Sequence, residues 1–248
     1  MRKDKLRIND IRTQFKEQDF ITYHELLKFY RREEPDLKIG TFKWRVYKLK
    51  EKKVMNSFKT GIYRLEKRKE FMPNINLTLK RVYNHVNKHF PYIDICIWET
   101  SWLHNLINHQ PFNSLTILEV DKDIIEAVFQ SLKEKRSDVF LDPKGKDVDN
   151  YISNENAVIV RPIIKESPVR TSEKIRISKI EKILVDIFSD KELFRAYQGQ
   201  ELINIFERIY EEYSVNITTL YRYAKNRGIR EKIINFIILN TQIDKKYI

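Results

Sequence analysis

The chain has 248 residues, 42% hydrophobic and 12% aromatic, with five glycines and seven prolines; it is long and apolar enough to bury a full core, which excludes a disordered chain, and too poor in turn formers for a barrel or sandwich of many tight turns. The single cysteine, Cys96, allows no intramolecular disulfide and no cysteine-built zinc site, no apolar run approaches the roughly 18–20 residues of a membrane span, and the charged start lacks the apolar stretch of a signal peptide, so a reducing, cytoplasmic setting is expected. The net charge is +12, but residues 1–70 hold 21 Lys/Arg against 11 Asp/Glu while residues 71–248 hold 26 against 24, so a basic module that favours a polyanion precedes a nearly neutral one.

Residues 6–15 place Leu6, Ile8, Ile11 and Phe15 near helical spacing. Phe20, Ile21 and Thr22 make a short extended stretch. Thr22 followed three places on by Glu25 is the capping-box pattern, which opens a second helix over 23–33 that stops near Pro35. A third helix is predicted over 41–52, with Thr41 as its cap. Phe42, Val46 and Leu49 form its inward stripe. Lys43, Tyr47 and Lys50, flanked by Trp44 and Lys48, form its outer face, with no acid before Glu51. Trp44 fits either a wedge between the second and third helices or a contact to nucleic acid, and Arg45 falls at the edge of the buried stripe. Two β-prone runs around Lys59, Thr60 and Gly61 predict a hairpin over 54–65.

Helix, short strand, helix, helix, hairpin is the order of a winged helix-turn-helix, here over residues 1–66. In that arrangement Thr41, Lys43, Trp44, Tyr47, Lys48 and Lys50 enter a major groove. They offer donors to phosphates and guanine edges, and flat groups to sugars and thymine methyls. Lys59 and Thr60 of the hairpin touch the flanking backbone. Winged helices also bind proteins, so the expectation of double-stranded DNA rests on charge: residues 38–69 carry 12 Lys/Arg and only two acids, Glu51 and Glu66.

Residues 67–75, with their charge run and Met72-Pro73, read as a linker. Beyond it a helix over 77–89 precedes β-prone runs at 93–98, 115–120, 139–141 and 157–164, separated by helical stretches at 100–108, 123–135 and 147–152. From about residue 178 the pattern is helical, over 178–188, 200–213, 216–227 and 229–240, with Gly228 between the last two. The expected class is therefore α+β: an N-terminal winged helix-turn-helix followed, over 76–248, by a mixed α/β domain with a largely helical C-terminal part.

Catalytic motifs are scarce. His85 and His89 are four apart on a helix, yet no Glu follows His85 and no metal is expected there. No glycine-rich phosphate loop or Gly-x-Ser-x-Gly occurs. Asp94 and Glu119, on successive strands, resemble the carboxylates of metal-dependent nucleases. The lysine of the Glu-x-Lys pattern is displaced by one place to Lys122, which turns it to the other sheet face. Cys96 lies in an apolar run and reads as a core residue. No catalytic residue and no cofactor is expected. A Mg²⁺-dependent nuclease delivered by the winged helix, or a protein-docking module built on 200–240, are the alternatives to a DNA-binding regulator.

Two stretches together resemble a family. One is Thr41-Phe42-Lys43-Trp44-Arg45 with Leu49 and Lys59-Thr60-Gly61-Ile62-Tyr63. The other is Ser178, Glu181, Leu184 and Asp186 in the pattern S-x-x-E-x-x-L-x-D, followed by Tyr221-Arg222-Tyr223-Ala224. Both are similar to the AbiEi-type antitoxins of bacterial type IV toxin–antitoxin and abortive-infection systems. The resemblance implies a protein that represses its own promoter and counters a partner toxin of nucleotidyltransferase type without being an enzyme. Ser178, Glu181 and Asp186 match the family signature; read as structural residues, Glu181 and Asp186 would bind Arg222, Arg227 or nearby backbone amides. Residues 90–168 match no family motif.

Overall fold

The computed structural model describes residues 5–52, 54–65, 69–144 and 157–243. The first elements are α1 (Ile8–Gln14), β1 (Ile21–Thr22), α2 (Tyr23–Arg31), α3 (Ile39–Glu51), β2 (Met55–Lys59) and β3 (Ile62–Leu65). Thr22 caps α2 as its sequence predicts: its hydroxyl accepts from the Glu25 N–H at 3.2 Å, and the Glu25 carboxylate accepts from the Thr22 N–H at 2.8 Å. The three strands form an antiparallel sheet in the order β1-β3-β2. Its hairpin turns through Gly61, whose φ of 72° a side chain would strain. Ile11, Ile21, Leu26, Tyr30, Phe42, Leu49 and Met55 form the core of this module.

α3 starts earlier than the sequence pattern predicts. The Phe42 N–H already bonds the Lys38 carbonyl at 3.0 Å, so Lys38 takes the N-cap position, with no side-chain cap bond. Thr41 is therefore an exposed residue of the first turn and not the cap. Buried Leu37 anchors the chain before that turn and lets the helix begin at once.

The second module holds α4 (Leu77–His89), β4 (Ile95–Glu99), β5 (Thr116–Val120), α5 (Ile125–Lys133), β6 (Val139–Leu141), β7 (Val158–Pro162), β8 (Val169–Ser172), β9 (Ile175–Ser178), α6 (Ile180–Ser189), α7 (Gln200–Glu212), α8 (Ile217–Asn226) and α9 (Arg230–Asn240). A six-stranded mixed sheet runs β6-β7-β5-β4-β9-β8. β5, β6 and β7 are parallel, β4 runs against β5 and along β9, and β8 closes the edge antiparallel to β9. Alternation along the strands divides the two faces. Ile95, Ile97, Leu118, Val120, Val158 and Val160 pack with α4 and α5, whereas Trp98, Ile117 and Ile159 pack with α6 to α9. The fold is thus α+β, with the C-terminal part largely helical.

Three expectations change. Residues 169–178 form a hairpin outside the predicted β-prone runs, although Ile175 and Ile177 alternate with period two and both are buried. Ser178 is consequently the last residue of β9 and not the start of a helix. Residues 100–106 wind as a 3-10 helix. The connecting residues are packed: the Lys69 N–H bonds the Glu212 carbonyl, the Ser214 N–H bonds the Lys69 carbonyl, and Phe71 is buried among residues of the α6 face. The helix expected over 147–152 lies outside the described residues. Among the described residues no helix is long and apolar enough to cross a membrane.

Candidate nucleic-acid interface

On α3, Phe42, Arg45, Val46 and Leu49 are buried at helical spacing. The opposite stripe is Gly40, Lys43, Trp44, Tyr47, Lys48 and Glu51. Trp44 is 48% exposed and Tyr47 58%, so neither ring is a wedge between helices. Lys43 makes no ion pair among the described residues. Lys48 bonds Glu51, which raises its pKa, and lies beside the Tyr47 ring. Lys59 and Thr60 are exposed at the hairpin turn. The Tyr23 N–H donates to the Gly61 carbonyl at 2.7 Å and ties that turn to the start of α2.

Two residues depart from the outer face. Arg45, 5% exposed, lies over the Tyr30 ring and donates from Nη2 to both Glu34 oxygens at 2.9 and 2.8 Å. It joins α3 to the end of α2 and is structural. Lys50, assigned to the outer face from its spacing, turns aside: it is half-buried, and its Nζ lies 3.4 Å from Ser57 Oγ on β2. Periodicity alone cannot place it, because a long side chain at the edge of a stripe takes its direction from the neighbouring element.

The second module carries a buried charge cluster. Lys182 on α6 is fully buried and touches Glu119 of β5 and Asp186 one helical turn on. Asp186 Oδ1 also accepts from the Tyr223 hydroxyl and from Arg227 Nη1, both at 2.9 Å. Burial works against the Lys182 ammonium, but Asp186 and Glu119 hold its pKa well above the ordinary value. Burial likewise opposes the Asp186 carboxylate, and Lys182 and Arg227 overcome it, so its pKa is lowered. Burial pushes Glu119 up. Arg161 on β7 extends the cluster outward to Asp142 at 3.2 Å and Asp190 at 2.9 Å. The sequence signal for Lys182 is a lone cation in an apolar helix run, four residues before Asp186.

The nuclease constellation does not assemble. Asp94 lies before β4, exposed, and pairs with Arg176. Glu119 is enclosed with Lys182, opposite Cys96 across the β4–β5 pair. Cys96, its pKa pushed up by burial to about 12, contacts Ser178 Oγ. His85 contacts Ser131 and His89 donates to the His85 carbonyl, while His104 meets Tyr197 and His109 meets Glu201. Among the described residues no three His, Cys, Asp or Glu side chains are grouped to hold a metal ion. Within 200–240 the strongly exposed large apolar side chain is Leu239, which makes no stripe.

Of the signature residues, Glu181 accepts the Asn216 N–H at 2.8 Å and Asp186 takes Arg227. Both match the backbone and arginine partners that a structural role predicts, and Arg222 has no part in it.

No curated protein matches the chain. The model of a family of unknown function, DUF6577, matches residues 41–243, from the first turn of α3 past the end of α9, and the chain belongs to that family.

Proposed function

We propose that this protein is a sequence-specific DNA-binding regulator that reads duplex DNA through α3. The observation that carries the reading is the outward stripe of Lys43, Trp44, Tyr47 and Lys48, backed by an independent buried stripe, with Lys59 and Thr60 exposed at the hairpin turn. The element order and the β1-β3-β2 sheet support a winged helix-turn-helix in which α3 lies in the major groove and the hairpin follows the adjacent backbone. Lysines at 43, 48 and 59 displace counterions from phosphates, and the two rings supply flat contacts to sugars and bases. The charge excess of residues 1–70 raises encounter rates with a polyanion.

The resemblance to AbiEi-type antitoxins extends the proposal. The protein represses its own operon in a bacterial cytoplasm and counters a nucleotidyltransferase-type toxin, with no enzyme activity of its own. The test is binding to the duplex immediately upstream of its gene, against a scrambled duplex, at two salt concentrations. Preference for the upstream fragment that persists at the higher salt is expected. Equal, salt-labile binding to both fragments reduces α3 to a basic surface and removes the regulator.

A further inference from the structure

A cavity of about 470 Å³ lies where the two modules meet. Its wall includes Lys50 from the last turn of α3, Asn56 and Ser57 from β2, Glu70, Arg170 from β8, and Lys179 and Glu181 at the start of α6. The volume falls in the range of small-molecule sites, roughly 300–1,000 Å³. Three cations, Lys50, Arg170 and Lys179, line it with two carboxylates, Glu70 and Glu181, and Arg170 is paired with Glu70. Neither Lys50 nor Lys179 has an ion-pair partner among the described residues. Arg170 is committed elsewhere: it donates from Nη1 to Glu70 and from Nη2 to the Phe71 carbonyl, and its enclosed Nε has no surface on the cleft. The Glu181 carboxylate already accepts from the Asn216 N–H, and burial favours its neutral form. α6 opens at Lys179 without a capping side chain, so the positive end of that helix adds to the same wall.

We propose that this cleft binds a small phosphate-bearing ligand, with Lys50 and Lys179 as its charged contacts. Two ammonium groups arriving from α3 and α6, beside the positive end of α6, suit the multiple charge of a phosphate. The ligand bridges the last turn of α3 and the hairpin to the second module, so its occupancy alters DNA affinity. That consequence rests on the DNA-binding reading; the binding itself does not.

The experiment is calorimetric titration of the full chain with inorganic phosphate and with adenosine 5′-monophosphate, with citrate as the carboxylate arm. Wild type, Lys50→Ala, Lys179→Ala and the exposed control Lys88→Ala are compared, with urea unfolding to confirm that each is folded. Both phosphate probes are expected to bind wild type and Lys88→Ala alike, and Lys50→Ala and Lys179→Ala to bind about tenfold more weakly, which corresponds to about 1.4 kcal/mol. Equal binding by all four proteins overturns the site, as does the absence of binding by both phosphate probes. Citrate binding more tightly than either phosphate probe overturns the phosphate assignment. Repeating the upstream-DNA titration with saturating phosphate probe on Lys179→Ala separates the two readings. A ligand-induced change in affinity that wild type shows and Lys179→Ala loses supports the coupling. Ligand binding by a protein that ignores DNA sinks the regulator and leaves the site standing.

Discussion

α3 and α6 place lysine at opposite ends of the solvation scale. On α3, Lys43 is exposed and Lys48, among the described residues, is paired only with a neighbour on its own helix. On α6, Lys182 is fully enclosed by a sheet carboxylate and a helix carboxylate. A solvated lysine costs the fold almost nothing and contributes almost nothing to it, so a face rich in such lysines and exposed rings is free to serve a partner. A buried ammonium is tolerable only with its charges matched, so Lys182 is committed to holding β5, α6 and α8 together through Glu119, Asp186 and the Asp186 contacts of Tyr223 and Arg227. The same side chain marks a docking face in one module and an internal clamp in the other.

The contrast breaks first at Lys182. Lys182→Met leaves Glu119 buried without its cation and Asp186 with Arg227 alone, and is expected to lower stability by about 3–5 kcal/mol in urea unfolding. A loss under about 1 kcal/mol would mean that the cluster is not a clamp. Next comes Arg45, which lies on α3 yet belongs with the buried side of the comparison. Arg45→Ala removes the contacts to Glu34 and Tyr30 and should cost about 2 kcal/mol, within the range of hydrogen bonds to charged groups. Thr22→Ala removes the α2 cap, and about 1 kcal/mol of stability is expected to go with it. Lys43→Ala should change stability by less than about 0.5 kcal/mol. It should nonetheless weaken DNA binding on all sequences and reduce the salt slope by about 0.9. An unchanged slope in Lys43→Ala and in Lys48→Ala alike would show that DNA does not lie on this face.

A pH series sharpens the surface side of the comparison. Partial desolvation works against the Glu201 carboxylate, but the N–H groups of Asn108 and His109 and the His109 ring bring its pKa from 4.5 down to about 2. Its contribution to stability is therefore complete above pH 4.5 and lost as the pH falls toward 2. The stability difference between wild type and Glu201→Gln should shrink over that interval, and a difference that stays constant there would contradict the lowered pKa.

Local features are legible in the residue pattern. The Thr22–Glu25 box, the turn at Gly61 and the Phe42, Val46, Leu49 stripe depend on residues within one or two turns of each other, so spacing alone reveals them. The kinds of partner that Glu181 and Asp186 take, a backbone amide and an arginine, follow from acids placed on an otherwise apolar helix. The start of α3 is not legible, because burial of Leu37 decides where the turn after Pro35 ends. Nor is the hairpin of β8 and β9, four residues a strand, whose pairing with β4 comes from a distant part of the chain.

By itself the sequence determined the charge division, the α+β class, the order of the first six elements and the two faces of α3, because each follows from composition or from periodicity within a single element. Tertiary structure alone decided that Lys50 leaves the outer face for the cleft beside Ser57, that Phe71 and Ile75 are packed into the second module, and that Glu119 meets Lys182 instead of Asp94. Those outcomes depend on which elements become neighbours, and a long or charged side chain takes its partner from the surface placed against it.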